Sequence, residues 1–277
     1  MVTTNVPDVV LPGGVTIPQV GLGVFQVPPE ETAATVRAAL EAGYRHIDTA
    51  QGYGNEEGVG AGIAASGVAR EEVFVTTKLD NDSHGADSAV PVLEESLRRL
   101  GTDYVDLYLI HWPLPALDRY VATWRGFQEA SRAGKARAIG VSNFQIPHLE
   151  RLAAETGIMP AVNQIELHPL LQQAELRRYH QEHGIVTEAW SPLAKAEVLD
   201  HPLLVELAER HGRTPAQVVL RWHIQLGNVV FPKSTSPERM SENIDVFDFA
   251  LDEQDVDAIA GLDKGYRTGP DPDTFTG

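Results

Sequence analysis

The chain has 277 residues, of which 43% are hydrophobic and 22% charged, a balance that supports a packed core and excludes disordered and fibrous classes. Its formal net charge of −17 argues against nucleic acid or an anionic membrane surface as partner, since both require a basic footprint. Cysteine is absent, which excludes disulfides, thiolate nucleophiles and zinc–cysteine sites.

The start, MVTTNVPDVVLPGG, has neither the basic end nor the apolar block of a signal peptide. No apolar run approaches the roughly eighteen residues that a membrane span needs, so a cytoplasmic location is expected. Residues 9 to 17, VVLPGGVTI, predict a β-hairpin around Pro12-Gly13-Gly14. From there short β-branched runs alternate with helical patterns. The runs are VGLGV (20 to 24), RHID (45 to 48), VFVTTK (73 to 78), YVDLYLIH (104 to 111), ARAIGVS (136 to 142), PAVNQI (160 to 165), IVTEAW (185 to 190) and NVVFPK (228 to 233).

Between the runs, ETAATVRAALEAG places Thr32, Val36, Ala39 and Leu40 on one face and stops at Gly43. SAVPVLEESLRRLG does the same with Val92, Leu93, Ser96, Leu97 and Leu100 before Gly101. DRYVATWRGFQEASRAG, PHLERLAAETG and QQAELRRYHQEHG follow, and TPAQVVLRWHIQLG opens on Thr214 as N-cap with Pro215 in the first turn. Eight strand–helix alternations without a linker predict one domain over 1–277, an α/β (β/α)8 TIM barrel with the hairpin plugging its N-terminal end. The tail from Lys264, KGYRTGPDPDTFTG, is too rich in Gly, Pro and Asp for a helix and is expected to lie as a loop over one face. A doubly wound open sheet is the alternative, but GLGVFQ carries only two of the three glycines of its fingerprint.

In such a barrel functional groups sit at the C-terminal ends of strands. Three strand ends carry unusual residues: Asp48, Lys78 and His111, with Tyr53 on the loop after the second strand. Singly each has an ordinary explanation as a turn, solvated or loop residue. Together they form a constellation for general-acid catalysis of a reduction. A tyrosine has a free pKa of about 10, and an ammonium beside it is expected to lower that value. Asp48 would hold Lys78 in place, and His111 would donate to the oxygen that Tyr53 protonates. There is no G-x-S-x-G and no H-E-x-x-H, and His180 and His183 read as a solvated helix end rather than a metal site.

GYRHIDTAQGYGNEEGVG (43 to 60), GVSNF (140 to 144), FPKSTSPERMSEN (231 to 243) and IHWP (110 to 113) resemble the signature segments of the aldo-keto reductases. The likeness is nearest to bacterial members acting like 2,5-diketo-gluconate reductase. It implies the barrel, NADPH, a monomer, and a tetrad that falls on the same four residues, Asp48, Tyr53, Lys78 and His111. The resemblance also implies cofactor contacts at Gly23, Val24, Ser142, Asn143, Gln164, Trp190, Ser191 and Leu193, the amide side chains suiting a carboxamide. Lys233, Ser234, Thr235 and Arg239 would take the 2′-phosphate, and Glu242 and Asn243 would meet the adenine. Ser236-Pro237-Glu238 reads as a helix start, so Arg239 sits where an anion would relieve the helix dipole.

The substrate pocket is expected to include Phe25, Trp112, Asp80 and the tail. Asp80 stands where many relatives carry tryptophan, which suggests an open, polar mouth for small dicarbonyls or aldehydes such as methylglyoxal, with diketo sugar acids as the other option. Histidine at 111, where double-bond reductases of the family have glutamate, implies carbonyl reduction. The alternative from another class is an NADPH-binding redox-sensing or regulatory barrel with little turnover.

Overall fold

The computed structural model describes residues 6–277. The first five residues, part of the stretch read above as lacking a signal peptide, lie outside the described residues. β1 (Asp8–Val10) and β2 (Thr16–Pro18) form the expected antiparallel hairpin, with Val9 opposite Ile17. The eight strand runs become one parallel sheet in sequence order: β3 (Leu22–Gly23), β4 (His46–Asp48), β5 (Phe74–Leu79), β6 (Val105–Ile110), β7 (Ala136–Ser142), β8 (Val162–Glu166), β9 (Val186–Trp190) and β10 (Val229–Val230). Parallel bridges from Val20 to Val230 and from Gly23 to Lys233 close the ring, which excludes the open-sheet alternative.

The helices form where the apolar spacing demanded them. They are α1 (Pro29–Glu41), α2 (Glu56–Ser66), α3 (Ala89–Leu100), α4 (Tyr120–Arg132), α5 (Ile146–Thr156), α6 (Ala174–Glu182), α7 (Pro202–His211), α8 (Pro215–Gln225), α9 (Pro237–Ile244) and α10 (Glu253–Ala260). α3 buries Leu93, Ser96, Leu97 and Leu100, and each leucine contributes about 1.5–3 kcal/mol of hydrophobic stabilisation. Thr214 caps α8 in a reciprocal capping box with Gln217, and Pro215 occupies the first turn. α7 and α10 were not among the expected helices. Pro202 in the first turn of α7, Leu203, Leu204, Leu207 and Ala208 at helical spacing, and Gly212 after it were the available signals.

Two apolar clusters divide the interior. One lies between strands and helices and includes Trp124, Phe127 and Trp222; the other fills the ring near its N-terminal end. There Leu11 and Ile17 of the hairpin join Phe74, Leu107, Leu109, Val162 and Val229, so the hairpin plugs the barrel. The expectation for His180 is corrected: it is fully buried, because it faces inward one turn after Leu176 on α6. Its ring is satisfied by Asn163 at 2.9 Å and Thr187 at 2.9 Å, while His183 stays exposed against Tyr179. Beyond Lys264 the tail is irregular and bends over the C-terminal mouth. Thr268 donates to Glu166 through its amide at 2.5 Å and its hydroxyl at 2.7 Å.

Candidate active site

β4 ends on Asp48, level with Thr76 of β5, which puts Lys78 two residues farther on and facing the same interior. Lys78 reaches back across the ladder, its Nζ 2.7 Å from Asp48 Oδ1, 3.0 Å from the Thr49 carbonyl and 3.4 Å from the Tyr53 hydroxyl. Asp48 and Lys78 are both buried. Burial opposes the lysine charge, but Asp48 and Tyr53 outweigh it and hold Lys78 above its ordinary value. Burial also pushes Asp48 up, while the Lys78 charge and the hydrogen bonds from Lys78 and Gln164 pull it down.

Tyr53 sits in a single 3-10 turn, Gln51–Tyr53. Its flanking glycines have specific causes. Gly54 takes φ +67, the left-handed conformation that ends the turn, and a Cβ on Gly52 would lie 2.9 Å from Asp80 Oδ1. Asn55 anchors the loop, accepting from Thr49 at 2.8 Å and donating to the Val24 carbonyl at 2.9 Å. The expectation of a depressed phenol pKa is corrected: burial raises Tyr53, Lys78 counteracts this, and Asp48 adds to the rise, so the net shift is upward from the ordinary tyrosine value. In this cluster the phenol therefore keeps its proton through neutral pH.

His111 follows β6, its ring edge-on to Tyr53 with centroids 5.8 Å apart. Burial, helped by Lys78 and His84, lowers its pKa to about 3, so the ring is neutral at pH 7. Its Nδ1 is buried with no partner among the described residues, so donation to a carbonyl oxygen requires the tautomer protonated at Nε2. Glu56, the first residue of α2, is buried and bound by Thr77 at 2.6 Å and Arg99 at 3.3 Å.

The remaining expected residues divide between the centre of the mouth and its rim. Ser142 donates to the Gln164 carbonyl at 2.9 Å, and Asn143 donates to the His111 carbonyl at 3.0 Å while accepting from the Trp190 indole at 2.8 Å. Gln164 spends its amide hydrogens on Asp48 Oδ2 at 2.9 Å and Glu188 Oε2 at 2.7 Å, leaving Oε1 as its acceptor. Gly23 and Val24 border the seam, the Val24 amide donating to the Asp48 carbonyl at 3.0 Å. Ser191 has φ +49, and Ala194, Lys195 and Ala196 just after Leu193 also have positive φ, a strained run at the end of β9.

Lys233, Thr235 and Arg239 are exposed beside the start of α9, whose N-cap Ser236 accepts from the Arg239 amide at 3.3 Å, and Ser234 is buried beneath them. Glu242 and Asn243 lie about one turn farther along α9 than Arg239. The Glu242 carboxylate accepts from Thr214 at 2.6 Å, and Asn243 is buried on the inner face of α9. Phe25 is exposed and lies 5.0 Å from the Tyr53 ring, and Trp112 is buried under Phe275 at 4.5 Å. Asp80 caps the turn after β5 by accepting from the Asn81 amide at 2.9 Å.

Three further residues were missed. Glu188 is a fully buried carboxyl on β9, and Glu166 and Phe275 fasten the tail. The signal for Glu188 was a charged residue two positions before a strand-end tryptophan, which strand periodicity turns to the same face. Burial pushes Glu166 up, but bonds from His168 and Thr268 outweigh it and hold the carboxyl below its ordinary value.

The Aldo/keto reductase family model matches residues 17–264. An aldo-keto reductase of Mycolicibacterium smegmatis is 56% identical over 269 residues, covering 97% of this chain and 98% of its own. Methylglyoxal reductase DkgA of Escherichia coli K12 is 52% identical, with 96% of this chain and 97% of its own covered. Among solved structures, a mutant of Gox0644 in complex with NADPH superposes with a TM-score of 0.94 at 50% identity, covering 97% of this chain and 98% of that one.

Proposed function

The chain belongs to the aldo/keto reductase family, and from that premise we propose that it reduces aldehydes or ketones to alcohols with NADPH at the C-terminal mouth of its barrel. The observation that carries the reading is the placement of Lys78 Nζ between Asp48 Oδ1 and the Tyr53 hydroxyl, with the His111 ring beside Tyr53. Tyr53 donates the proton to the carbonyl oxygen, and the Lys78 charge stabilises the phenolate left behind. Asp48 keeps that charge in place. Neutral His111 donates from Nε2 to the same oxygen and orients the carbonyl. When bound, NADPH supplies the hydride that adds to the carbonyl carbon.

The residues present suit that cofactor. Gln164 Oε1 and the oxygens of Ser142 and Asn143 offer acceptors for a carboxamide, Trp190 offers an aromatic face, and exposed Lys233 and Arg239 flank a helix N-terminus suited to a phosphate. The likeness to methylglyoxal reductase DkgA and the polar Asp80 beside the Tyr53 loop favour small α-dicarbonyls as substrates. A cytoplasmic monomer completes the proposal.

Following NADPH absorbance with a panel of aldehydes and α-dicarbonyls tests the activity. Tyr53→Phe should lower turnover by about a hundredfold to ten-thousandfold while NADPH still binds. A Tyr53→Phe enzyme that keeps most of its activity would overturn the mechanism, and absence of turnover on any α-dicarbonyl at millimolar concentration would remove the substrate assignment. Arg239→Ala should weaken NADPH about tenfold, since it removes a charge-assisted contact. Undiminished affinity would sink the phosphate site.

A further inference from the structure

Glu188 and Asp48 both accept from Gln164 Nε2, which donates one hydrogen to each. With Lys78 and Tyr53 they form one hydrogen-bonded chain through the barrel interior: Glu188, Gln164, Asp48, Lys78, Tyr53. Glu188 is wholly buried and its Oε1 has no partner among the described residues. An unpartnered carboxyl oxygen in a dry interior is costly, so a structural filler at this position would be expected to be apolar.

We infer that Glu188 is a positioning residue that fixes the Gln164 amide with Oε1 free for the cofactor, and whose charge state sets the site's preference between oxidised and reduced nicotinamide. The inference rests on the reading of the mouth as an NADPH site. Its geometric half is direct: while Glu188 and Asp48 hold both hydrogens of Nε2, the amide cannot turn over to present a donor where an acceptor is needed. The electrostatic half follows from the charges around it. Asp48 on β4 and Lys78 on β5 are the charged groups that act on Glu188, while its ladder neighbours, Gln164 on β8 and Val229 on β10, carry no charge.

Burial first, and then Asp48, push the Glu188 carboxyl up to about 8, against the pull of Gln164 and Lys78. Below that pH one proton keeps the cluster from holding two anions against one ammonium. Above it a second negative charge appears below the mouth, which favours a positively charged oxidised nicotinamide over a neutral reduced one.

The test is to measure NADPH and NADP+ affinities by quenching of tryptophan fluorescence from pH 6 to 9.5, for wild type, Glu188→Gln and Glu188→Leu. The 2′-phosphate is common to both ligands and cancels in their ratio. In wild type the preference for NADP+ should grow on the order of tenfold as the pH passes about 8. Glu188→Gln, whose carbonyl can still accept from Gln164, should bind NADPH normally and show a flat ratio. Glu188→Leu should weaken both ligands about tenfold, because Gln164 loses its anchor.

A flat wild-type ratio, a Glu188→Gln ratio that tracks wild type, or a Glu188→Leu protein with unchanged affinities would each overturn the inference. If Glu188→Leu fails to fold, the wild-type and Glu188→Gln curves still decide it. Wild-type protein that binds no NADPH would overturn the cofactor reading and this inference with it, and that result is visible before any variant is compared.

Discussion

The two ends of the barrel are closed by opposite means. At the N-terminal end the hairpin inserts Leu11 and Ile17 into an apolar cluster with Leu107, Leu109 and Val229, and the closure itself stabilises the fold. At the C-terminal end the interior holds Asp48, Lys78, Gln164 and Glu188, and the cover is the tail, tied by Glu166 to Thr268, by Lys195 to the Thr268 carbonyl at 2.8 Å, and by Phe275 on Trp112. Backbone strain divides in the same way. Every non-glycine residue with positive φ among the described residues, from Gln26 to Ala196, lies in a loop that leaves a strand toward the C-terminal mouth. The returning loops at the other end turn on glycines such as Gly101 and Gly134. One end is built for stability, and the other accepts desolvation and strain in order to hold polar groups in place.

Acid should have the largest effect, and it reaches both ends. His111 beside the mouth, His180 and His223 on the inner faces of α6 and α8, and His46 against Phe74 of the plug are lowered by burial to about 3, and His84 to about 4. A group whose folded value is depressed contributes stability that is present above the unfolded value and is lost as the pH falls through the folded one. Stability should therefore decline from about pH 6.5 downward, each histidine withdrawing up to about 4 kcal/mol, which is enough in sum to unfold a protein of ordinary stability near pH 5. Urea titrations from pH 4 to 8 measure this, and a flat profile from 7 to 4 would break the account.

Single substitutions sharpen the contrast. Lys78→Met leaves Asp48 buried without its cation, and should lower stability by about 3–5 kcal/mol and turnover by at least about a hundredfold. Ile17→Ala empties part of the plug at the other end and should cost about 2–5 kcal/mol, with kcat of the folded enzyme unchanged. Denaturant melts beside steady-state rates separate the two. A fall in kcat for Ile17→Ala comparable to that for Lys78→Met would show that the ends are not independent.

Much of this division was legible in the sequence because it rests on local rules. Eight β-branched runs, helical spacing between them and the Pro12-Gly13-Gly14 turn specify strands, helices and hairpin, and strand-end positions single out Asp48, Lys78 and His111. What was not legible depends on distant packing. Helical spacing from Leu176 turns His180 inward, but nothing local tells that Asn163 and Thr187 satisfy its ring, or that Glu188 shares an amide with Asp48 from across the ring. The direction of the Tyr53 shift failed for the same reason. A nearby lysine can be inferred from spacing, but the burial that outweighs it appears only once the loop is folded onto the mouth.

The smallest expected effect concerns the tail. Phe275 is half-buried and packs on Trp112, so its removal takes away one aromatic pair, worth about 0.5–1.5 kcal/mol beyond the area the ring buries, and leaves the tetrad intact. Phe275→Ala should thus lower stability by about 1–3 kcal/mol and reduce kcat/KM for a small dicarbonyl by roughly fivefold, mainly through KM. Bulkier aldehydes should lose less, because the wall they meet has gone. Kinetics across substrates of increasing size measure this directly. An equal loss for all sizes would mean that the tail acts on Trp112 and the chemistry beneath it rather than on the shape of the mouth, and the apolar plug would then be the only closure of the barrel independent of catalysis.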